Sequence, residues 1–268
     1  MDEARPSGLD YVYVWADGVH FNVRLEEDRL CCLMIVGVRL DGTKELVAVA
    51  DGYRESTESW SEVLRGLRDR GLSAPVVAVG DGALGFWGAL HEVFPATKEQ
   101  RCWVHATADT LDALSKRLHA DAKVALKSIY AAPTRTAAVE AVTRFAEEFA
   151  GHQKATVKIT GNLDVLLCYY DFPTKHWVHL RTSNPIESTF STVRLRTRVT
   201  HGARSRKAAL AMAYKLLDAA QDRWRRITGA ELVPLVRAGA TFTDGKLRKR
   251  SDQTAHDATD EETGSVAA

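Results

Sequence analysis

The sequence predicts an α/β fold: a mixed sheet of three antiparallel strands followed by parallel ones, with helices packed on its faces. Three observations point there. Two runs rich in Val, Ile, Tyr and Phe open the chain at 11–23 and 30–40. Asp41-Gly42 then separates VGVRL from KELVAVA, and Asp-Gly between apolar runs is a strong hairpin signal. Finally, the all-apolar run PVVAV at 75–79 lies between two stretches of helical periodicity, as a buried parallel strand does.

The elements follow in order. Asp41-Gly42 is expected to form a two-residue hairpin, completing three antiparallel strands. A helix over 57–70 places Trp60, Val63, Leu64 and Leu67 on one face, begins in the capping segment STES and stops at Gly71. After the strand at 75–79, a helix spans 83–93, and TKEQRCWV beyond Pro95 reads as a fifth strand. The order β-β-β-α-β-α-β is that of a sheet covered by helices. From His105 to Phe149 the pattern is helical and Ala-rich, broken once at Pro133, and 105–173 reads as an all-helical insertion. A further helix starts at Asn184 and a long one covers 205–226. The chain thus divides into a leader (1–10), the first part of the core (11–104), the insertion (105–173), a last core helix with basic helices (174–250), and a tail (251–268). The tail has no aromatic residue, Leu or Ile and is expected to be disordered.

Bulk properties exclude several classes. The 268 residues are 45% hydrophobic, enough for a sizeable core. There is no apolar run of transmembrane length, and the polar start MDEARPSGLD carries no export signal. Four cysteines without framework spacing fit reduced thiols in a cytoplasm. A net charge of +1 hides an asymmetry. Residues 174–250 hold 17 Lys and Arg against 5 Asp and Glu, a local +12, while the tail carries −5 and residues 1–173 carry −6. A basic block behind an acidic body fits a polyanionic partner, although a solvated helical surface has the same composition.

Three carboxylates occupy well-marked settings: Asp17 in WADGVHF, Asp81 in VGDGALGFW and Glu187 in TSNPIES. Each also has a plain structural account. Asp17-Gly18 suits a bulge or turn, but apolar neighbours on both sides put the carboxylate near a buried sheet centre, where an unpaired charge is costly. Asp81 suits an N-cap; it also stands at the end of a parallel strand, where α/β sites form. Glu187, with Asn184 and Pro185, completes a capping box, and one turn into its helix it can also lean towards a sheet. Brought together, the three would make an oxygen-rich pocket for Mg²⁺ or Mn²⁺. A pair of such ions about 3.5–4 Å apart clamps the oxygens of a phosphodiester displacement.

Other patterns carry less. Gly80 to Gly85 matches G-x-G-x-x-G, but a hairpin precedes it, Asp81 opposes a pyrophosphate, and no suitable acid follows about 20 residues on. Cys102 and His105 have C-x-x-H spacing without a second pair to complete a zinc site. No His-Asp pair accompanies Ser188 or Thr189. The stretch RLRTRVTHGARSRK brings Arg194, Arg196, Arg198, Arg204, Arg206 and Lys207, with Arg223, Arg225 and Arg226 beyond, a density suited to phosphate contacts.

Six strings, WADGVHFNVRLEEDR, DGYRESTESW, VGDGALGFW, QRCWVH, LRTSNPIESTF and VRLRT, resemble in this order the Mutator-type transposases of bacterial insertion sequences. The resemblance runs from Tyr11 to Asp244. It implies an RNase H-like catalytic core whose DDE triad falls on Asp17, Asp81 and Glu187, with a helical insertion between the second and third acids. It further implies Mg²⁺, replaceable by Mn²⁺, in cleavage and strand transfer at transposon ends and target DNA. A homodimer or higher oligomer on DNA, in the cytoplasm and away from membranes, is expected from that chemistry. The family's C-x-x-H signature falls on Cys102 and His105, in a structural or DNA-positioning role. Departures are Ala106, where a basic residue is usual, a poorer match over 151–162, and only about ten residues ahead of the first strand. The expectation is therefore an N-terminally truncated transposase, the alternative being a catalytically silent remnant that binds DNA or full-length transposase.

Overall fold

The computed structural model describes residues 9–21, 30–184, 186, 190 and 205–248. Its main sheet has five strands: β1 (Tyr13–Phe21), β2 (Leu30–Val38), β3 (Lys44–Asp51), β4 (Val77–Gly80) and β5 (Lys98–Arg101). Their order is β3-β2-β1-β4-β5. The β1–β2 and β2–β3 pairings are antiparallel, and the β1–β4 and β4–β5 pairings are parallel. β1 therefore lies at the centre, which explains why its apolar residues are buried on both faces.

Period-two alternation sorts the strands between two cores. Val14, Ala16, Leu33, Ile35 and Ala78 face one side, where α1 (Thr57–Asp69) and α2 (Phe86–Val93) pack through Trp60, Leu64, Leu67, Phe86 and Leu90. Tyr13, Trp15, Val19, Met34, Val77 and Val79 face the other. That larger core is covered by α3 (Trp103–Asp112), α4 (His119–Tyr130), α5 (Arg135–Glu148), α6 (Gln153–Thr160) and the segment up to Leu180. Trp60 is wholly buried between the helices and the sheet. Truncating it to Ala would cost about 3–5 kcal/mol.

Local chemistry sets the ends of these elements. Ser56 caps α1 by accepting from Ser59 N, and Gly71 closes it at φ 93°, a left-handed value that favours glycine. Thr134 caps α5 just after Pro133, which separates it from α4. A further break at 113–118 divides α3 from α4.

Four expectations are corrected. The β2–β3 connection is not a two-residue hairpin: Gly42 N donates to Arg39 O and Arg39 N to Thr43 O. Only Gly42 takes positive φ (82°), so Leu40, Asp41 and Gly42 form a three-residue loop. Asp41 instead turns its carboxylate onto the Thr43 N–H and hydroxyl. Helix α2 begins at Phe86 rather than Ala83, because residues 81–85 form a turn shaped by Asp81. In TKEQRCWV the strand stops at Arg101, and Cys102 is already the N-cap of α3. The helix starting at Arg206 ends at Gln221, short of 226.

Candidate active site

The parallel pairing of β1 with β4 ends at Ala16 opposite Gly80. Asp17 and Asp81 are the next residue on each chain, and by alternation both continue the face of Trp15 and Val79. Two carboxylates distant in sequence thus become cross-strand neighbours at the centre of the sheet. They are only 6% and 7% exposed, so their charges need partners.

Arg54 supplies one. Its Nη2 makes a close ion pair with Asp81 Oδ2, and its Nε lies 3.7 Å from Asp17 Oδ1. Backbone groups share the load: Gly18 N donates to Asp17 Oδ1 (2.7 Å) and Ala83 N to Asp81 Oδ1 (3.3 Å). The loop bearing Arg54 is itself fixed, since its carbonyl accepts from Trp60 Nε1 (2.8 Å) and Gly85 N (3.1 Å). Two glycines make this approach possible. A Cβ on Gly18 would lie 2.8 Å from Arg54 Cγ, and one on Gly85 would lie 2.4 Å from the Ser56 carbonyl carbon. The glycines of the G-x-G-x-x-G string are therefore accounted for by packing, with Gly82 against Arg101.

A cleft of about 250 Å³ opens beside this pair, lined by Gly82, Ala83, Arg101, Asp109, Lys158 and Asn162. Arg101 is braced there by Glu99 (2.8 Å) and Asn162 (2.6 Å). The cleft begins at the turn that follows Asp81 and runs between α3 and α6, with Arg101, Lys158 and Asp109 on its wall.

Cys102 and His105 form a second, connected cluster. Cys102 N donates to Gly80 O (2.8 Å), next to Asp81. Its Sγ accepts from both the backbone N and the hydroxyl of Ser183, each at 3.2 Å, and the same hydroxyl lies 3.5 Å from His105 Nδ1. Burial pushes the Cys102 thiol up, but its bonds with His105 and Ser183 outweigh that and hold it below its usual range. Ser183 O in turn accepts from Ile186 N (2.9 Å). Among the described residues, no group of three His, Cys, Asp or Glu side chains converges to hold a metal ion.

Glu187, Arg194, Arg196, Arg198 and Arg204 lie outside the described residues. Their neighbours are informative. Asn184, Ile186 and Phe190 are helical, and Ile186 and Phe190 are buried in the core that covers the Asp17–Asp81 face. Of the remaining basic candidates, Arg206 pairs through two bonds with Asp51 (2.7 and 3.0 Å), while Lys207 is exposed. His176 is buried and bonded to Tyr13 and Gly229, a packing role. Sequence reasoning assigned no role to Arg54. The available signal was its position: it is the sole basic residue between Lys44 and Arg65, in the turn between a strand and a capped helix.

Comparison with known proteins decides the lineage. Residues 3–227 match the transposase family of the Mutator type. The chain belongs to the Mutator family of transposases. It is 58% identical over 257 residues to the transposase of insertion sequence element IS6120 from Mycolicibacterium smegmatis, covering 93% of this chain and 80% of that protein. It is also 48% identical over 222 residues to the transposase of element IST2 from Acidithiobacillus ferrooxidans, covering 82% and 75% respectively. Both relatives are transposases of insertion sequences, as the Mutator-type motifs implied. Among the described residues of this family member, no helix is long and apolar enough to cross a membrane.

Proposed function

We propose that the chain is an insertion-sequence transposase that cleaves and joins DNA with a DDE triad of Asp17, Asp81 and Glu187 on an RNase H-like sheet. The observation that carries this reading is the meeting of Asp17 and Asp81 at adjacent parallel strand ends, buried and bridged by a single guanidinium. The donor set fits Mg²⁺ or Mn²⁺, because Asp17 and Asp81 offer hard carboxylate oxygens. When bound, such ions activate the attacking hydroxyl and stabilise the departing 3′ oxygen of a phosphodiester.

The remaining steps belong to the protein. Asp17 and Asp81 hold their carboxylates in fixed directions, because each is tied to backbone N–H groups of a rigid strand end. Glu187 joins them from its helix, whose flanking residues Ile186 and Phe190 pack on the same face. The Cys102–Ser183–His105 cluster acts structurally, tying the start of that helix to the strand end beside Asp81. The groove with Arg101 and Lys158 takes one stretch of DNA backbone. Arg194, Arg196, Arg198, Arg204 and Lys207 add contacts to ends and target. Arg206 joins them once released from Asp51. Two ends must be held together for strand transfer, so the working form is a dimer or higher oligomer on DNA.

Nicking of supercoiled plasmid in Mn²⁺ tests the proposal. Wild type should nick; Asp17→Asn, Asp81→Asn and Glu187→Gln should each fall to background while retaining DNA affinity. Near-wild-type cleavage by any one of them removes that residue from the triad. Neutralising Arg194 and Arg198 should flatten the salt dependence of DNA binding, and an unchanged slope removes them from the interface.

A further inference from the structure

Among the described residues, Arg54 is a cation set against both buried carboxylates, Asp17 and Asp81. Arg54 serves them unequally: its Nη2 is close to Asp81, whereas its Nε stands 3.7 Å from Asp17, too far for a hydrogen bond. That Nε is buried and, among the described residues, makes no hydrogen bond. A buried ionised donor without an acceptor is costly, so the arrangement is an incomplete compromise. The side chain also has a way out. Its backbone is pinned by Trp60 and Gly85, but its side chain is 23% exposed. Rotation about the side-chain bonds alone can carry the guanidinium towards solvent without disturbing the loop.

We infer that Arg54 is a displaceable counter-cation of the active site, which a divalent ion must expel to reach Asp17 and Asp81. This rests on the metal-dependent reading above and adds a residue to it. The guanidinium and a divalent cation compete for the same oxygens: Arg54 contacts Asp81 Oδ2 and faces Asp17 Oδ1. A doubly charged ion attracts a pair of carboxylates more strongly than one guanidinium does. Arg54 therefore lowers the affinity for metal while keeping the carboxylates aligned and compatible with burial in the metal-free protein. Substrate phosphate arriving with the metal offers the expelled guanidinium a new partner, so loading is favoured when DNA is present.

The test measures Mn²⁺ binding to the full chain by the electron paramagnetic resonance signal of the free ion, without DNA. Wild type, Arg54→Met and Arg54→Gln are compared, each with and without Asp17→Asn. Met and Gln keep the stem that packs over Gly18. The expected result is binding about tenfold or more tighter in both Arg54 variants, abolished by Asp17→Asn. Thermal unfolding gives the matching sign: the variants melt lower than wild type without Mn²⁺ and gain more from its addition. Equal or weaker Asp17-dependent binding in the variants overturns the inference and leaves the metal reading intact. Binding indifferent to Asp17→Asn, or no binding in any chain, overturns both. A measurement on the wild type covers variants that fail to fold. Phenylglyoxal labelling of Arg54, read by peptide mass spectrometry, should rise on adding Mn²⁺. Labelling that stays level or falls overturns the inference.

Discussion

Two buried polar centres lie on neighbouring strands and are built on opposite terms. Gln100, on β5, is wholly buried with its amide fully used: Nε2 donates to Arg101 O (2.8 Å) and Leu166 O (3.1 Å), and Oε1 accepts from Tyr169 N (2.7 Å). Asp17 and Asp81 share one cation that reaches only one of them closely. A neutral, saturated group has nothing left to offer a ligand; it fastens the sheet to the segment at 163–171. A buried pair of carboxylates keeps a strong demand for positive charge. The contrast separates a residue spent on holding the sheet together from the pair proposed to bind metal.

Asp17→Asn should give the widest divergence between function and stability. Cleavage is expected to fall to background. Unfolding free energy should change by less than about 1 kcal/mol, or rise, because Arg54 keeps its close pairing with Asp81 and one buried charge is removed. Plasmid nicking and urea denaturation on one preparation check both halves. Loss of several kcal/mol would mean that Asp17 is part of the scaffold, as Gln100 is.

Gln100→Leu should do the reverse. It strands the Tyr169 N–H and removes a donor from two carbonyls, so about 2–4 kcal/mol of stability is lost. The denaturation midpoint reads this directly. Nicking per folded molecule should persist.

The same contrast explains what was legible beforehand. Asp17 and Asp81 stood out because an acid amid apolar strand residues is conspicuous, and the β-β-β-α-β-α-β order followed from periodicity. Arg54 did not stand out, because its role depends on a loop folding over the strand ends and no periodicity marks a loop. Gln100 was invisible for a related reason: its partners Leu166 and Tyr169 come from a distant segment, so its burial is a tertiary fact. The boundary errors have local causes. CWV has strand-like composition, but Cys102 N is drawn to Gly80 O and Ser183 to its Sγ, so the chain turns into α3 there. In Asp41-Gly42 the Asp side chain preferred Thr43, which a two-residue turn would not allow.

Two glycine substitutions probe the loop that carries Arg54. Gly85→Ala would set a Cβ within 2.4–2.5 Å of backbone atoms of Glu55, Ser56 and Thr57, which cannot swing aside as a side chain would. A loss of about 1–3 kcal/mol is expected, with lowered nicking because the Arg54 carbonyl loses its Gly85 partner. Gly66, in the middle of α1, has open space around it, and Gly66→Ala should gain about 0.5–1 kcal/mol. If both lower stability alike, helix α1 rather than the close approach is the sensitive element.

The smallest effect expected is on pH dependence, and it concerns two histidines in the saturated class. His176 Nε2 donates to Gly229 O and Nδ1 accepts from the Tyr13 hydroxyl, an arrangement that requires the neutral ring. Burial lowers its pKa. His179 Nε2 accepts from Thr228 N, and burial, then Lys44 and His176, pushes its pKa down to about 4. In the unfolded chain both titrate near about 6.5. Between about 6.5 and about 4 the unfolded state therefore binds more protons than the folded one, so stability is fully present above that window and declines as pH falls through it. His179→Gln should flatten the part of this decline that extends towards pH 4, measured as denaturation midpoint against pH. Asp17→Asn should leave it in place, because Asp17 sits in the other centre. A slope indifferent to His179→Gln would assign the acid sensitivity to carboxylates instead.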